Sequence, residues 1–183
     1  MIISPEISES FYASDRLNQA QLNWLRNHGV STHAMTEPDP IFTARVTFTK
    51  TGTFDIVTAE EEGHTALLIL AYGLRGEVLD IAAWTPRSGK LATWLGRVCV
   101  LGENEILQPC LGAPLQVYRE PLAWLKADRH GVVVVNAKRA ADVLSGISLQ
   151  AEDASHAMEL RRLLTRPAPQ ISWPAKVKLE AAE

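Results

Sequence analysis

The sequence predicts an α+β domain, and three observations carry that expectation. From Ala44 to Thr49 apolar and polar residues alternate, with Ala44, Val46 and Phe48 on one face and Arg45, Thr47 and Thr49 on the other. After Leu115 the rhythm becomes strand, helix, strand, helix, strand, helix, which requires crossover connections and a small parallel sheet. Ahead of Ile41 the apolar spacing is helical instead. The expected architecture is an N-terminal helix, a central antiparallel meander and a C-terminal small α/β layer, all sharing one core.

Taken in order, Glu9 to His28 reads as one helix with Phe11, Leu17, Leu22 and Leu25 along a face and Gly29 as its stop. Glu37-Pro38-Asp39-Pro40 reads as a linker, because each proline removes an amide donor and pushes its predecessor out of helical geometry. A hairpin is expected over Ala44 to Val57, turning at Lys50-Thr51-Gly52. Ala66 to Tyr72 reads as a buried strand, followed by a pair over Glu77 to Trp84 and Lys90 to Leu95. That turn sets Trp84 near Leu91 and Ile81 near Trp94, cross-strand pairs each contributing up to ~1 kcal/mol. Leu115 to Tyr118, Val132 to Val135 and Ile147 to Gln150 are the strands of the last third. Helices run from Pro121 to Lys126, from Ala137 to Leu144, and to Thr165 behind an Asp153 cap. In domain terms, residues 1–40 form the helix and linker. Residues 41–166 form a single α+β domain, antiparallel over 41–112 and α/β over 113–166, and residues 167–183 form a proline-containing flexible tail.

Composition narrows the function class. The 183 residues are 46% hydrophobic and 21% charged, ordinary for a globular protein. With 18 Lys plus Arg against 21 Asp plus Glu, the net charge of −3 lacks the basic excess that duplex binding calls for; nucleic acid stays a possible partner without being indicated by charge. The longest apolar run, Ala66 to Leu74, falls far short of the roughly 20 residues that span a bilayer. Met1 to Ser10 carries Glu6 and Glu9 where an export signal needs apolar residues, so a cytoplasmic location is expected. The two cysteines, Cys99 and Cys110, form no C-x-x-C pair and read as buried free thiols. No cofactor is expected.

Two groups of side chains are candidates for a site. Ligands of parallel sheets collect outside the carboxyl ends of the strands. There the chain places Arg119, then Asn136, Lys138 and Arg139, then Ser155 and His156. Lys138 and Arg139 in the first turn of a helix oppose its dipole unless an anion offsets them; the competing reading is that both are simply solvated. Ser155 and His156 are adjacent, hence about 100° apart on a helix, and cannot serve as nucleophile and base for each other. Arg161, Arg162 and Arg166 fall in the last turns of that helix and suit its negative end. The second group, Asp80, Glu61, His64 and Asp153, holds the oxygen and nitrogen donors that a divalent metal would take; the competing reading of Glu60-Glu61-Glu62 is a solvated loop.

Some segments resemble known families. Gly76-Glu77-Val78-Leu79-Asp80 followed by a hairpin resembles the first half of a PD-(D/E)xK nuclease core. The partner strand, Lys90-Leu91-Ala92-Thr93-Trp94, lacks that core's acid and lysine. Gly131 to Leu164 is similar to a Toprim-like pattern, in which an acid follows a valine-rich strand and an Asp-x-Asp follows a later one to bind magnesium. Here Asn136 stands at the first place and Asp153-Ala154-Ser155 at the second, which implies a metal-free relative. Asp80 to Trp84, Trp94 to Gly96, Pro121 to Leu125 and Gly131 to Val135 resemble small proteins of bacterial prophages and mobile elements, a resemblance that brings no assigned activity. The function expected from all this is a non-catalytic accessory or binding protein, acting through a protein partner or an anionic ligand. A metal-dependent enzyme on nucleic acid or nucleotides is the alternative, and a structural homo-oligomer a third reading.

Overall fold

A computed structural model describes residues 3–58, 60–107 and 113–165, and the fold is α+β as expected. Its antiparallel part contains β2 (Phe42–Phe48), β3 (Phe54–Ile56), β4 (His64–Tyr72), β5 (Val78–Thr85) and β6 (Lys90–Thr93). These run β2-β4-β5-β6, with β3 also on β2. A further bridge between Thr53 and Thr93 brings the β3 end against β6, so the sheet curls almost closed. Alternation then sorts the side chains. Phe42, Val46, Phe54, Leu68, Leu70, Ile81 and Ala83 fill the inside, and Leu67, Ile69, Ala71, Ala82 and Trp84 face outward onto a second core. The β5–β6 register places Trp84 opposite Leu91, and the Trp94 amide donates to the Ile81 carbonyl at 2.8 Å, as the turn at Thr85 to Gly89 predicts.

The N-terminal expectation needs correction. Instead of one helix over Glu9 to His28 there are α1 (Pro5–Tyr12), a short β1 (Asp15–Arg16) paired with Phe42 and Thr43, and α2 (Gln19–Asn27). The break has a local cause: Asn18 accepts from the Gln21 amide while the Gln21 side chain accepts from the Asn18 amide, a capping box that starts a new helix. Phe11 and Leu25, read as one stripe, enter different cores; Ile7 and Phe11 plug the curled sheet, and Leu25 joins the outer cluster.

Residues up to Pro40 are also more than a linker. α3 (Thr32–Thr36) buries Ala34 and Met35. Asp39 is buried between two hydroxyls, accepting from Tyr12 Oη at 3.1 Å and from Tyr72 Oη.

The second layer consists of β7 (Val100–Leu101), a 3-10 turn at Glu103–Leu107, β8 (Leu115–Tyr118), α4 (Pro121–Lys126), β9 (Val132–Val134), α5 (Ala137–Val143), β10 (Leu149–Gln150) and α6 (Ala154–Leu164). Strand order is β10-β8-β9-β7; the β10–β8 and β8–β9 pairs are parallel, as the alternating pattern requires, and β7 runs antiparallel to β9. β7 is an element the sequence reading lacked. Its end passes so close to β9 that a Cβ on Gly102, where φ is +80°, would lie 2.2 Å from the Gly131 carbonyl oxygen. Val98, Leu101, Trp124, Leu125 and Val133 pack on the outer face of the curled sheet and join the two layers. Among the described residues no helix is long and apolar enough to cross a membrane. The expected tail, 167–183, and Cys110 lie outside the described residues.

Candidate functional site at the carboxyl edge of the parallel strands

Strand order decides which residues meet. β10 lies beside β8 and β8 beside β9, so the segment after β10 adjoins Arg119, and Arg119 is followed across the sheet by Asn136. Arg119 closes on its acidic neighbours. Its Nη1 and Nη2 donate to the two Asp153 oxygens at 2.7 and 2.9 Å. Its amide donates to Glu152 at 3.0 Å, and its Nε lies 3.7 Å from Glu159. A bidentate guanidinium–carboxylate pair of this kind fixes both groups in orientation. The Arg119 hydrogen bonds, aided by the His156 amide, hold the Asp153 carboxyl well below the usual carboxylate range, and Asp153 in turn raises the Arg119 guanidinium.

Asp153 is also the cap of α6, accepting from the His156 amide at 2.8 Å. The His156 ring is buried, and its Nδ1 accepts from the Glu152 amide at 3.2 Å. Ser155 faces solvent. The two residues therefore point apart, as their adjacency requires.

On the other side, Asn136 caps α5 by accepting from the Arg139 amide at 3.3 Å. The Arg139 guanidinium donates to the Arg97 carbonyl at 3.0 Å and to the Gly96 carbonyl, which ties α5 to the segment after β6. Lys138 is exposed and has no hydrogen-bond or ion-pair partner among the described residues. Asn136, Lys138 and Arg139 line a cavity of about 760 Å³ shared with Asp142, Leu163 and Thr165. Of the six anion-site candidates, these three share one cavity, whereas Arg119 and His156 belong to the acidic network around Asp153 and Glu152.

The metal candidates do not converge. Asp80 is fully buried on β5, where Oδ1 accepts the Ile81 and Leu95 amides at 2.9 and 2.8 Å and Oδ2 accepts the Arg97 amide at 2.7 Å. Glu61 closes its own turn by accepting from the Thr58 amide at 2.7 Å, which lowers its pKa. His64 starts β4 with its ring 6.5 Å from that of Phe48. Asp153 lies in the other layer. Among the described residues no group of three or more His, Cys, Asp or Glu side chains is placed to hold a metal ion.

Sequence reasoning missed a buried polar network where the two layers meet. Arg129, in the left-handed region at φ 65°, donates from Nε to the Ala34 carbonyl at 2.8 Å and from Nη2 to the Asp39 carbonyl at 3.0 Å. Burial pulls its pKa down to about 10, and burial likewise raises the Asp39 carboxyl. Nothing near Arg129 in the sequence marks it, because both acceptors lie about 90 residues away. Cys99 is a buried free thiol, as expected. Its Sγ and amide both donate to Glu103, and burial beside that carboxylate pushes the thiol up to about 12.

No protein-family profile and no curated protein matches the chain. Among solved structures it is similar to the crystal structure of the zinc-binding and RNA polymerase domains of the Aquifex aeolicus primase. The match covers 87% of this chain at a TM-score of 0.57 and 12% identity, and the chain spans 50% of that structure's length. The chain shares the fold of part of a primase. The likeness is one of fold alone, and it gives no support to the resemblance to proteins of prophages and mobile elements.

Proposed function

We propose that the chain is a non-catalytic accessory protein on a primase-like fold that binds a phosphate-bearing ligand, single-stranded nucleic acid being the class, at the edge formed by Asn136, Lys138 and Arg139. One observation supports this most: at the carboxyl edge the carboxylates are consumed by the protein itself while a cation stays free. Both Asp153 oxygens are taken by Arg119 and by the α6 cap. Asn136, at the place of the first Toprim acid, spends its oxygen on α5. This donor set does not fit a magnesium site, and no reaction step is routed through one. Lys138, on the same edge and beside a cavity, is available to a phosphate.

The test is fluorescence anisotropy with a labelled single-stranded oligonucleotide, full-length chain, wild type against Lys138→Glu, over a salt series. Saturable binding is expected, with the Lys138→Glu salt slope lower by about 1. Absence of binding, or binding indifferent to Lys138, overturns the reading and turns the search to protein partners.

A second reading, a metal-dependent enzyme acting on nucleic acid or nucleotides, is favoured by the primase likeness itself. It requires Arg119 to release Asp153 when substrate arrives. Nucleotide incorporation on a primed template, dependent on Mg²⁺ or Mn²⁺ and abolished by Asp153→Asn in a folded protein, would establish it.

A further inference from the structure

Away from the carboxyl edge, a small cavity of about 170 Å³ lies where β4, the 3-10 turn and the loop between α4 and β9 meet. Pro38, Leu70 and Trp124 supply apolar wall, and Glu105, Asp128 and Arg129 bring charge to it. At that size it admits a molecule of a few heavy atoms, well below the roughly 300–1,000 Å³ that drug-sized ligands occupy.

Arg129 sets the chemistry of the cavity. The residue is 8% exposed, and one edge of its guanidinium is spent on the chain, Nε on the Ala34 carbonyl at 2.8 Å and Nη2 on the Asp39 carbonyl at 3.0 Å. The Trp124 ring, with its centroid 6.0 Å away, flanks the group. The end of the guanidinium, formed by Nη1 and the second Nη2 hydrogen, has no partner among the described residues. No ion pair neutralises Arg129 among them either, because the Asp39 carboxylate accepts from Tyr12 and Tyr72 instead. Carbonyl oxygens satisfy donors but carry no net charge, and a buried cation is costly unless an anion sits against it. Nη1 is not sealed in: among the described residues the buried side-chain atoms left without a partner are Arg45 Nε and Trp84 Nε1, and this cavity is the opening that Arg129 lines. A free guanidinium end offers two parallel N–H bonds, spaced as the two oxygens of a carboxylate are.

The other charges on the lining have the opposite sign. Glu105 is half-buried, with Asn104 Nδ2 at 3.4 Å and His130 Nδ1 at 3.3 Å, and Asp128 accepts from Ser31 Oγ on one oxygen only. Two carboxylates beside one guanidinium repel a multiply charged anion such as phosphate, and they suit a ligand that carries an ammonium next to its own carboxylate.

We propose that this cavity binds a free α-amino acid with a small apolar side chain, its carboxylate on the Nη1–Nη2 end of Arg129, its ammonium toward Glu105 and Asp128, and its side chain against Leu70 and Trp124. The site shares no residue with the edge at Asn136 to Arg139, so either site can fail alone.

The probe is L-alanine, titrated by calorimetry against the full-length chain, with propionate, which lacks the ammonium, and ethylamine, which lacks the carboxylate, as comparisons. Saturable binding of L-alanine is expected, with propionate and ethylamine each weaker by about 10- to 100-fold, the worth of a hydrogen bond to a charged group. Arg129→Lys keeps the charge but loses the fork and should weaken L-alanine by a similar factor. Because Arg129 also ties the two layers together, Glu105→Gln is the decisive variant: it keeps the shape of a side chain on the 3-10 turn, and circular dichroism checks that the fold is unchanged. It should weaken L-alanine about tenfold while leaving propionate unaffected. The proposal is overturned if L-alanine shows no saturable binding, if propionate or ethylamine binds as tightly, or if folded Glu105→Gln binds L-alanine as the wild type does.

Discussion

Replacing Asp80 should unfold this protein rather than disarm it. The carboxylate is fully buried and accepts three backbone amides, those of Ile81, Leu95 and Arg97, fastening the chain after β6 back onto β5. Hydrogen bonds to a charged group are worth about 1.5–3 kcal/mol each, and a buried amide left without its acceptor costs a comparable amount. The three contributions overlap, since one loop makes two of the bonds. Asp80→Ala is therefore expected to destabilise by about 3–5 kcal/mol, at the upper end for point substitutions. Asp80→Asn discriminates further. An amide oxygen at the Oδ1 position keeps Ile81 and Leu95, but its NH₂ then faces the Arg97 amide donor, and about 1–3 kcal/mol should be lost. Urea denaturation followed by far-UV circular dichroism gives both values. Stabilities of both variants within about 0.5 kcal/mol of wild type would refute the assignment of Asp80 as a structural acceptor and reopen it as a ligand.

Other expectations follow from the same reading of the polar groups. Cys99 titrates near 8.5 in an unfolded chain and near 12 here, so the folded state holds its proton longer; the stability is intact below pH 8 and falls as pH rises above that. Between pH 8 and pH 10 this one group should cost about 1–2 kcal/mol, and Cys99→Ala should flatten that part of the urea-denaturation profile; an unchanged profile would contradict the argument. Asp153 works in the opposite direction: its depressed pKa gives stability above about pH 4 that fades as pH falls. Arg119→Ala should therefore weaken the acid dependence of amide exchange in α6, and no change in exchange would count against the pair. Gly102→Ala should destabilise by at least about 1–3 kcal/mol, because neither φ +80° nor the Gly131 carbonyl 2.2 Å from the new Cβ is tolerated; a melting temperature equal to wild type would show that this approach is not tight.

How much of this was legible depends on the range of the signal. The Trp84–Leu91 pairing follows from a turn of adjacent residues, and the Asp153 cap follows from its place three residues before the amide it accepts. The break between α1 and α2 was equally local, written in Asn18 and Gln21, but a shared apolar spacing hid it: Phe11 and Leu25 serve different cores. What bridges long distances was not legible. Arg129 reaches acceptors on Ala34 and Asp39, and β7 finds its partner in β9, neither of which carries a local pattern. The site shows the same division. That Arg119, Asn136 and Asp153 sit at strand ends follows from the alternating pattern; that Arg119 neutralises Asp153 while Lys138 stays free depends on β10 lying beside β8.

On the proposed reading, the carboxyl edge holds a phosphate by the unpaired Lys138 and not through a metal. Anisotropy of a labelled single-stranded oligonucleotide titrated with the full-length chain in EDTA tests it most directly. Saturable binding is expected in EDTA, weakened by Lys138→Glu and no stronger when Mg²⁺ is added. Binding that appears only when Mg²⁺ or Mn²⁺ is supplied, and that Asp153→Asn removes, would contradict it.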